Sequence, residues 1–152
     1  MKDILKAENV KVIDSVNNAK QAIEVTIRPL VEGGYCEERY ISEIYKNMEE
    51  FGPYFVLSED LALLHARSDQ GAIKTQLSIV KLQNPFSFSD NGISVRVMIG
   101  LVAPDSFSHM KAIKTISTIF RDHGNVMEMI GTDDPQVIYE YFIKKMKEVE
   151  NA

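Results

Sequence analysis

The sequence predicts an α/β fold, a single three-layer domain in which a mixed β-sheet carries helices on both faces. Three observations lead there. Ile93 to Val102 is the strongest strand signal in the chain, and its second half is apolar on both faces, the pattern of a central strand covered above and below. Apolar residues recur at helical spacing both before and after the strand-rich middle. No repeat, low-complexity tract or shift of composition divides residues 1–152, so one layered domain accounts for the whole chain.

Taken in order, Asp14 to Glu32 reads as a helix, with Val16, Ala19, Ala22, Ile23, Ile27, Leu30 and Val31 near helical spacing. Gly33-Gly34 is placed to end it, and Pro29 should disturb its last turn. Glu37 to Phe51 is a second amphipathic helix, stopped by Gly52-Pro53. Two helices are therefore expected ahead of any strand of consequence. Tyr54 to Leu57 is short, aromatic and apolar, which favours a buried strand, and it runs into the apolar stretch Leu61 to Ala66 that holds His65. Leu77 to Leu82 alternates as a strand does, and Asn84-Pro85 is expected to break it. After Ile93 to Val102, Ala103-Pro104-Asp105-Ser106 offers capping side chains to a helix closing near Arg121, with Phe107, Met110, Ile113, Ile116, Ile119 and Phe120 on its inner face. Val126 to Ile130 suggests a short helical turn. Asp134-Pro135 opens a last helix through Glu150, with Val137, Ile138, Tyr141, Phe142 and Met146 inward.

A domain of 152 residues buries about 70% of its unfolded surface, so neither disulfide nor metal is required to hold it. The lone Cys36 has no internal partner, no leader-like apolar segment opens the chain, and apolar runs such as Val97 to Ala103 fall far short of the ~20 residues that cross a bilayer. Cytoplasmic residence is the expectation. Seventeen basic against twenty-two acidic residues give a net charge of -5, which argues against nucleic acid as a partner while leaving room for one small anion.

Chemistry is expected at the histidines. His65 ends an apolar run and opens into the polar turn Arg67-Ser68-Asp69-Gln70-Gly71, so packing can fix it while one ring nitrogen faces outward; the alternative is a core histidine with a satisfied ring. His109 falls in a helix's first turn, where free amides and the positive helix end attract an anion, although a histidine there is also ordinary. His123, between Asp122 and Gly124, reads as a surface residue at a helix C-terminus. No histidine pair or cysteine set has metal-ligand spacing, no serine sits on a glycine-flanked elbow, and no glycine-rich loop precedes a lysine. Metal, cofactor and nucleotide are therefore not implied. Glu37 and Glu38 beside Cys36 discourage a thiolate there. What remains is an imidazole serving as phosphoryl carrier, since neutral imidazole is nucleophilic and phosphorylated imidazole is a good leaving group.

Gly52-Pro53-Tyr54-Phe55-Val56-Leu57, Leu61-Ala62-Leu63-Leu64-His65-Ala66-Arg67, Leu82-Gln83-Asn84-Pro85-Phe86 and Val97 to Ala103 followed by Ser108-His109 together carry a family resemblance. The chain resembles the enzyme IIA component of the bacterial phosphoenolpyruvate-dependent sugar phosphotransferase system, in its mannitol-fructose class and most nearly its ascorbate-type branch. That resemblance implies a phosphotransferase working without ATP. His65 would accept phosphate from the histidine phosphocarrier protein and donate it to a cysteine of a IIB component, which serves a membrane IIC component. His109 would steady the phosphoryl oxygens, and Arg67 would either assist as a fixed cation or pair with Asp69. Two departures stand out: Leu64 replaces the proline usual before the active histidine, and Glu49-Glu50 stand where mannitol-type relatives carry an arginine. A regulatory module of the same fold, whose phosphorylation state acts on a regulator, is the other reading.

Overall fold

In the computed structural model, which describes residues 3–90 and 92–152, the first strand comes earlier than the sequence suggests. A 3-10 turn, Ala7–Asn9, leads into β1, Val10–Ile13, which precedes both N-terminal helices and corrects the expectation that they come first. Four residues are too few to display a period. Helix α1, Ala19–Glu32, begins later than Asp14 because Asn18 is its cap, the side chain accepting from the Gln21 amide at 2.8 Å. Pro29 does not cut it short: Ile27 and Leu30, fully buried, hold the last turn, and the Gly33 amide closes onto the Pro29 carbonyl at 3.0 Å.

Helix α2, Arg39–Phe51, stops where Gly52 turns to a φ of +79°. Strand β2, Val56–Ser58, is followed after one residue by β3, Asp60–Leu64, so the apolar run leading to His65 is itself a strand, buried along its whole length. Strand β4, Gln76–Ser87, runs on through Asn84-Pro85 rather than breaking there. The register against the next strand, β5, Ser94–Val102, shifts between Lys81 and Phe86, and this irregularity accommodates a proline that has no amide to give the ladder.

Three helices complete the chain. In α3, Ser106–Phe120, the Asp105 side chain caps by accepting from the Ser108 amide at 2.8 Å. Helix α4, His123–Ile130, is capped by Asp122, and α5, Pro135–Glu150, by Asp134. Phe107 and Met110, expected on the inner face of α3, are instead 78% and 66% exposed, and Val137 is exposed as well. The buried face of α3 is formed by Ala112, Thr115, Ile116, Ile119 and Phe120, so only its later turns meet the sheet.

The sheet order is β1-β4-β5-β3-β2. The pairs β1 with β4 and β3 with β5 are parallel; β4 with β5 and β2 with β3 are antiparallel. Val97, Ile99 and Leu101 on one face of β5 join the core formed with α3, α4 and α5, while Met98 and Val102 on the other join that formed with α1 and α2. The mixed three-layer arrangement is therefore as expected, and the doubly apolar β5 is its centre.

Gly100 lies where α1 crosses β5. A Cβ there would stand 2.5 Å from Ser78 Oγ and 3.0 Å from Ile27 Cδ1. The serine is not free to retreat, because its hydroxyl donates to the Thr26 carbonyl at 2.6 Å. We expect Gly100→Ala to cost about 1–3 kcal/mol of stability by overpacking; a urea midpoint equal to that of the unaltered protein would show that α1 can shift freely over the sheet.

Candidate functional site

The two histidines meet because of the way two strands run. β3 and β5 are parallel neighbours, with Leu64 opposite Gly100, so their carboxyl ends emerge at the same edge of the sheet. The first residue beyond β3 is His65; the chain leaving β5 passes through Ala103-Pro104-Asp105 and brings His109 round in the first turn of α3. Crevices beyond the carboxyl ends of strands are where open α/β sheets generally place ligands. The ring centroids are 5.3 Å apart, with planes at 66°, and both histidines are half-buried. They open on a cleft of about 320 Å³ lined also by Asn47, Phe51, Tyr54, Ala66 and Arg67. His65 is thus neither sealed in the core nor remote from His109.

The His65 ring is oriented by its own strand. Nδ1 lies 2.6 Å from the Leu63 carbonyl, which can only accept, so Nδ1 carries the proton and Nε2 keeps its lone pair. Burial lowers the His65 pKa below its ordinary 6.5; the Leu63 hydrogen bond opposes this and the neighbouring His109 adds to it. Burial also lowers the pKa of His109. Both rings are therefore neutral at neutral pH. The site holds a nucleophilic nitrogen beside a second neutral imidazole that is able to donate a hydrogen bond.

Several residues that shape this site were not picked out as functional from the sequence. Tyr40, within the amphipathic segment that forms α2, is fully buried; its hydroxyl accepts from the Ala66 amide at 3.0 Å and donates to the Leu101 carbonyl at 2.7 Å, tying the ends of β3 and β5 together. Gln70, also buried, accepts the Arg67 amide at 2.9 Å and exchanges hydrogen bonds with Asn47, while its amide donates to Glu43 at 2.8 Å. Tyr54 stands edge-on to the His65 ring, centroids 5.4 Å apart, and its hydroxyl donates to the His65 carbonyl. Only the Tyr-Phe pair after Gly52-Pro53 and a glutamine in a polar turn hinted at these roles.

Of the remaining candidates, Arg67 reaches the cleft rim, where its Nε pairs with Asp69 at 3.2 Å, both side chains exposed, so the pair contributes little to stability. His123 is not at a helix C-terminus as expected: it is the first residue of α4, with Nε2 at 4.0 Å from Asp60 Oδ2, a carboxylate already held by Arg96 at 2.9 Å. Cys36 is buried, and that burial, more than Glu38 and Glu37, pushes its thiol up to about 12. Among the described residues no group of three or more His, Cys, Asp or Glu comes together to hold a metal ion.

A mixed five-stranded sheet between helical layers, with two neutral histidines meeting beyond parallel strand ends, defines an α/β protein whose histidine pair sits on an open cleft rather than in an enclosed cavity. The family model described as "Phosphoenolpyruvate-dependent sugar phosphotransferase system, EIIA 2" matches residues 3–145. The mannitol-specific cryptic phosphotransferase enzyme IIA component of Escherichia coli strain K12 is 32% identical over 132 residues, 87% of this chain and 89% of that protein. A solution structure of the mannitol-specific cryptic enzyme IIA from Escherichia coli superposes with a TM-score of 0.82 at 26% identity, covering 96% of this chain and 97% of the other. The ascorbate-specific EIIA component of Mycoplasma pneumoniae is 28% identical over 140 residues, 91% of this chain and 88% of that protein. The fold is shared also with mannitol enzyme IIA in its Escherichia coli complex with phosphorylated enzyme IIB, at a TM-score of 0.78 and 19% identity, covering 95% of this chain and 99% of the other. The chain belongs to the second EIIA family of the phosphoenolpyruvate-dependent sugar phosphotransferase system, and it is a phosphotransferase component.

The lowered pKa values have a definite sign. An imidazole that gives up its proton more readily when folded binds fewer protons than the unfolded chain, so stability is full above the unfolded value near 6.5 and is lost as pH falls below it toward the folded value. Nuclear magnetic resonance titration should give midpoints below 6.5 for both rings, with His65 in its Nδ1-protonated form; a His65 midpoint at or above 6.5 would contradict the geometry.

Proposed function

We propose that this protein, working as one enzyme IIA domain in the cytoplasm, takes a phosphoryl group on Nε2 of His65 from the histidine phosphocarrier protein and passes it to a cysteine of a IIB component. The observation that carries this reading is the pairing of an oriented, neutral His65 with His109 across 5.3 Å on an open cleft. The sugar would be met by a membrane IIC component; among the described residues of this chain no helix is long and apolar enough to cross a membrane.

In the first step the Nε2 lone pair attacks the phosphorus of the donor's phosphohistidine, and the breaking P–N bond returns its electron pair to the donor ring. In the second, the IIB thiolate attacks phosphorus and the pair of the Nε2–P bond returns to His65. The Leu63 carbonyl holds Nδ1–H through both, so the ring keeps its aim and the positive charge it gains on phosphorylation is stabilised. His109 donates its N–H to a phosphoryl oxygen, and the half-buried setting strengthens that bond relative to water. Arg67, exposed and paired with Asp69, makes at most a minor contribution as a cation at the rim. Neither ATP, metal nor nucleic acid enters the scheme. The mannitol enzyme IIA that shares this fold was solved with phosphorylated IIB, which supports a IIB partner here.

Incubation with phosphoenolpyruvate, the system's general first enzyme and the phosphocarrier should give an acid-labile, alkali-stable phosphate that is absent from His65→Gln. For His109→Ala we expect acceptance still to occur, with transfer slowed about a hundredfold, as when a donor to a developing anion is removed. Label surviving in His65→Gln would place the acceptor elsewhere, and unchanged rates in His109→Ala would take that ring out of the mechanism.

A further inference from the structure

Ladder pairing of β3 with β5 ends at Leu64, so the main-chain polar groups of His65, Ala66 and Arg67 that follow lie outside the ladder. Three of them are nevertheless each held by a side chain. The His65 carbonyl accepts from the Tyr54 hydroxyl, the Ala66 amide donates to Tyr40 at 3.0 Å, and the Arg67 amide donates to Gln70 at 2.9 Å. Leu64, unlike a proline, gives this approach no ring constraint of its own. Of the three holding residues, Tyr54 alone both bonds the main chain of His65 and stands against its imidazole, at 5.4 Å and 86°. It lines the same cleft, together with Asn47, which is itself locked to Gln70.

We propose that Tyr54 is a positioning residue for phosphoryl transfer: its hydroxyl fixes the His65 carbonyl while its ring edge limits imidazole rotation, so that Nε2 points to where the incoming phosphorus will stand. The inference rests on His65 being the acceptor. Transfer between two proteins leaves little covalent chemistry for side chains to assist, so alignment within about 0.5 Å and 10–20° decides the rate. The two contacts act on different bonds: the hydroxyl restrains the backbone on which the ring is mounted, and the ring edge restrains the side-chain torsion. With Nδ1 also tied to Leu63, the imidazole has three restraints while Nε2 remains open.

Tyr54→Phe removes one oxygen from a partly exposed side chain and leaves the ring in place, so the variant is expected to fold. With phosphorylated phosphocarrier as donor, we expect its kcat to fall about tenfold with KM unchanged, and the ring resonances of His65 to broaden as the imidazole gains freedom, with Nδ1 still protonated against Leu63. Unchanged kcat and unchanged resonances would overturn the proposal. So would a rise in KM alone, which would make Tyr54 a docking contact. Tyr54→Leu reacting slowly while Tyr54→Phe keeps the unaltered rate would assign the effect to the ring and overturn the part given to the hydroxyl. His65→Gln, assayed alongside, separates the two levels: label retained there defeats the acceptor assignment and this inference with it, whereas label lost there beside a Tyr54→Phe of unaltered rate defeats only the role of Tyr54.

Discussion

The parallel pairing of Asp60–Leu64 with Ser94–Val102 is the constraint on which the site depends. Had these neighbours been antiparallel, like the pair formed by Gln76–Ser87 and Ser94–Val102, the exits of the two strands would lie at opposite ends of the sheet and their histidines some strand length apart. Parallel order makes the exits coincide, and the Tyr40 hydroxyl fastens them by bonding Ala66 after one strand and Leu101 within the other. The strands are rigid because both faces are packed: leucines 61 and 63 face one core, Ala62 and Leu64 the other. The rings are therefore mounted on the least deformable part of the molecule, while the cleft between them stays open.

The same mounting sets their electrostatics. Partial burial strips water from both imidazoles and disfavours their charged forms. For His65 the Leu63 carbonyl works against this shift while fixing the tautomer, so one contact both restrains the ring and settles which nitrogen is free. Among the described residues no cation is buried at this cleft; Arg67 lies exposed at its rim, bound to Asp69. Negative charge arriving there meets neutral donors and the first turn of a helix rather than a fixed positive cluster.

The layered fold was legible because Ser94–Val102 is apolar on both faces and the flanking helices keep their period. His65 was legible as a candidate because it ends an apolar run before a polar turn, His109 because it opens a helix after the strongest strand signal, and the family resemblance named them together. What escaped has physical reasons. Val10–Ile13 is too short to reveal alternation, and its parallel partner lies far along the chain. Asn84-Pro85 stays in a strand because a register shift relieves the missing amide, a tertiary accommodation that no local rule registers. Phe107 and Met110 satisfy the helical period yet remain exposed, since periodicity tells which residues share a face and not whether anything covers it. Tyr40 and Gln70 act through hydrogen bonds to backbone groups 26 and three residues away, and spacing along the chain carries no trace of the former.

The sheet's borders carry a different consequence. Both outermost strands are brief, Val56–Ser58 on one side and Val10–Ile13 on the other, and they leave few unpaired main-chain groups to template a further strand. Association by extending the sheet is thereby discouraged. Partners of such a molecule are then held by side-chain surfaces, a mode that is more readily reversed than a shared ladder.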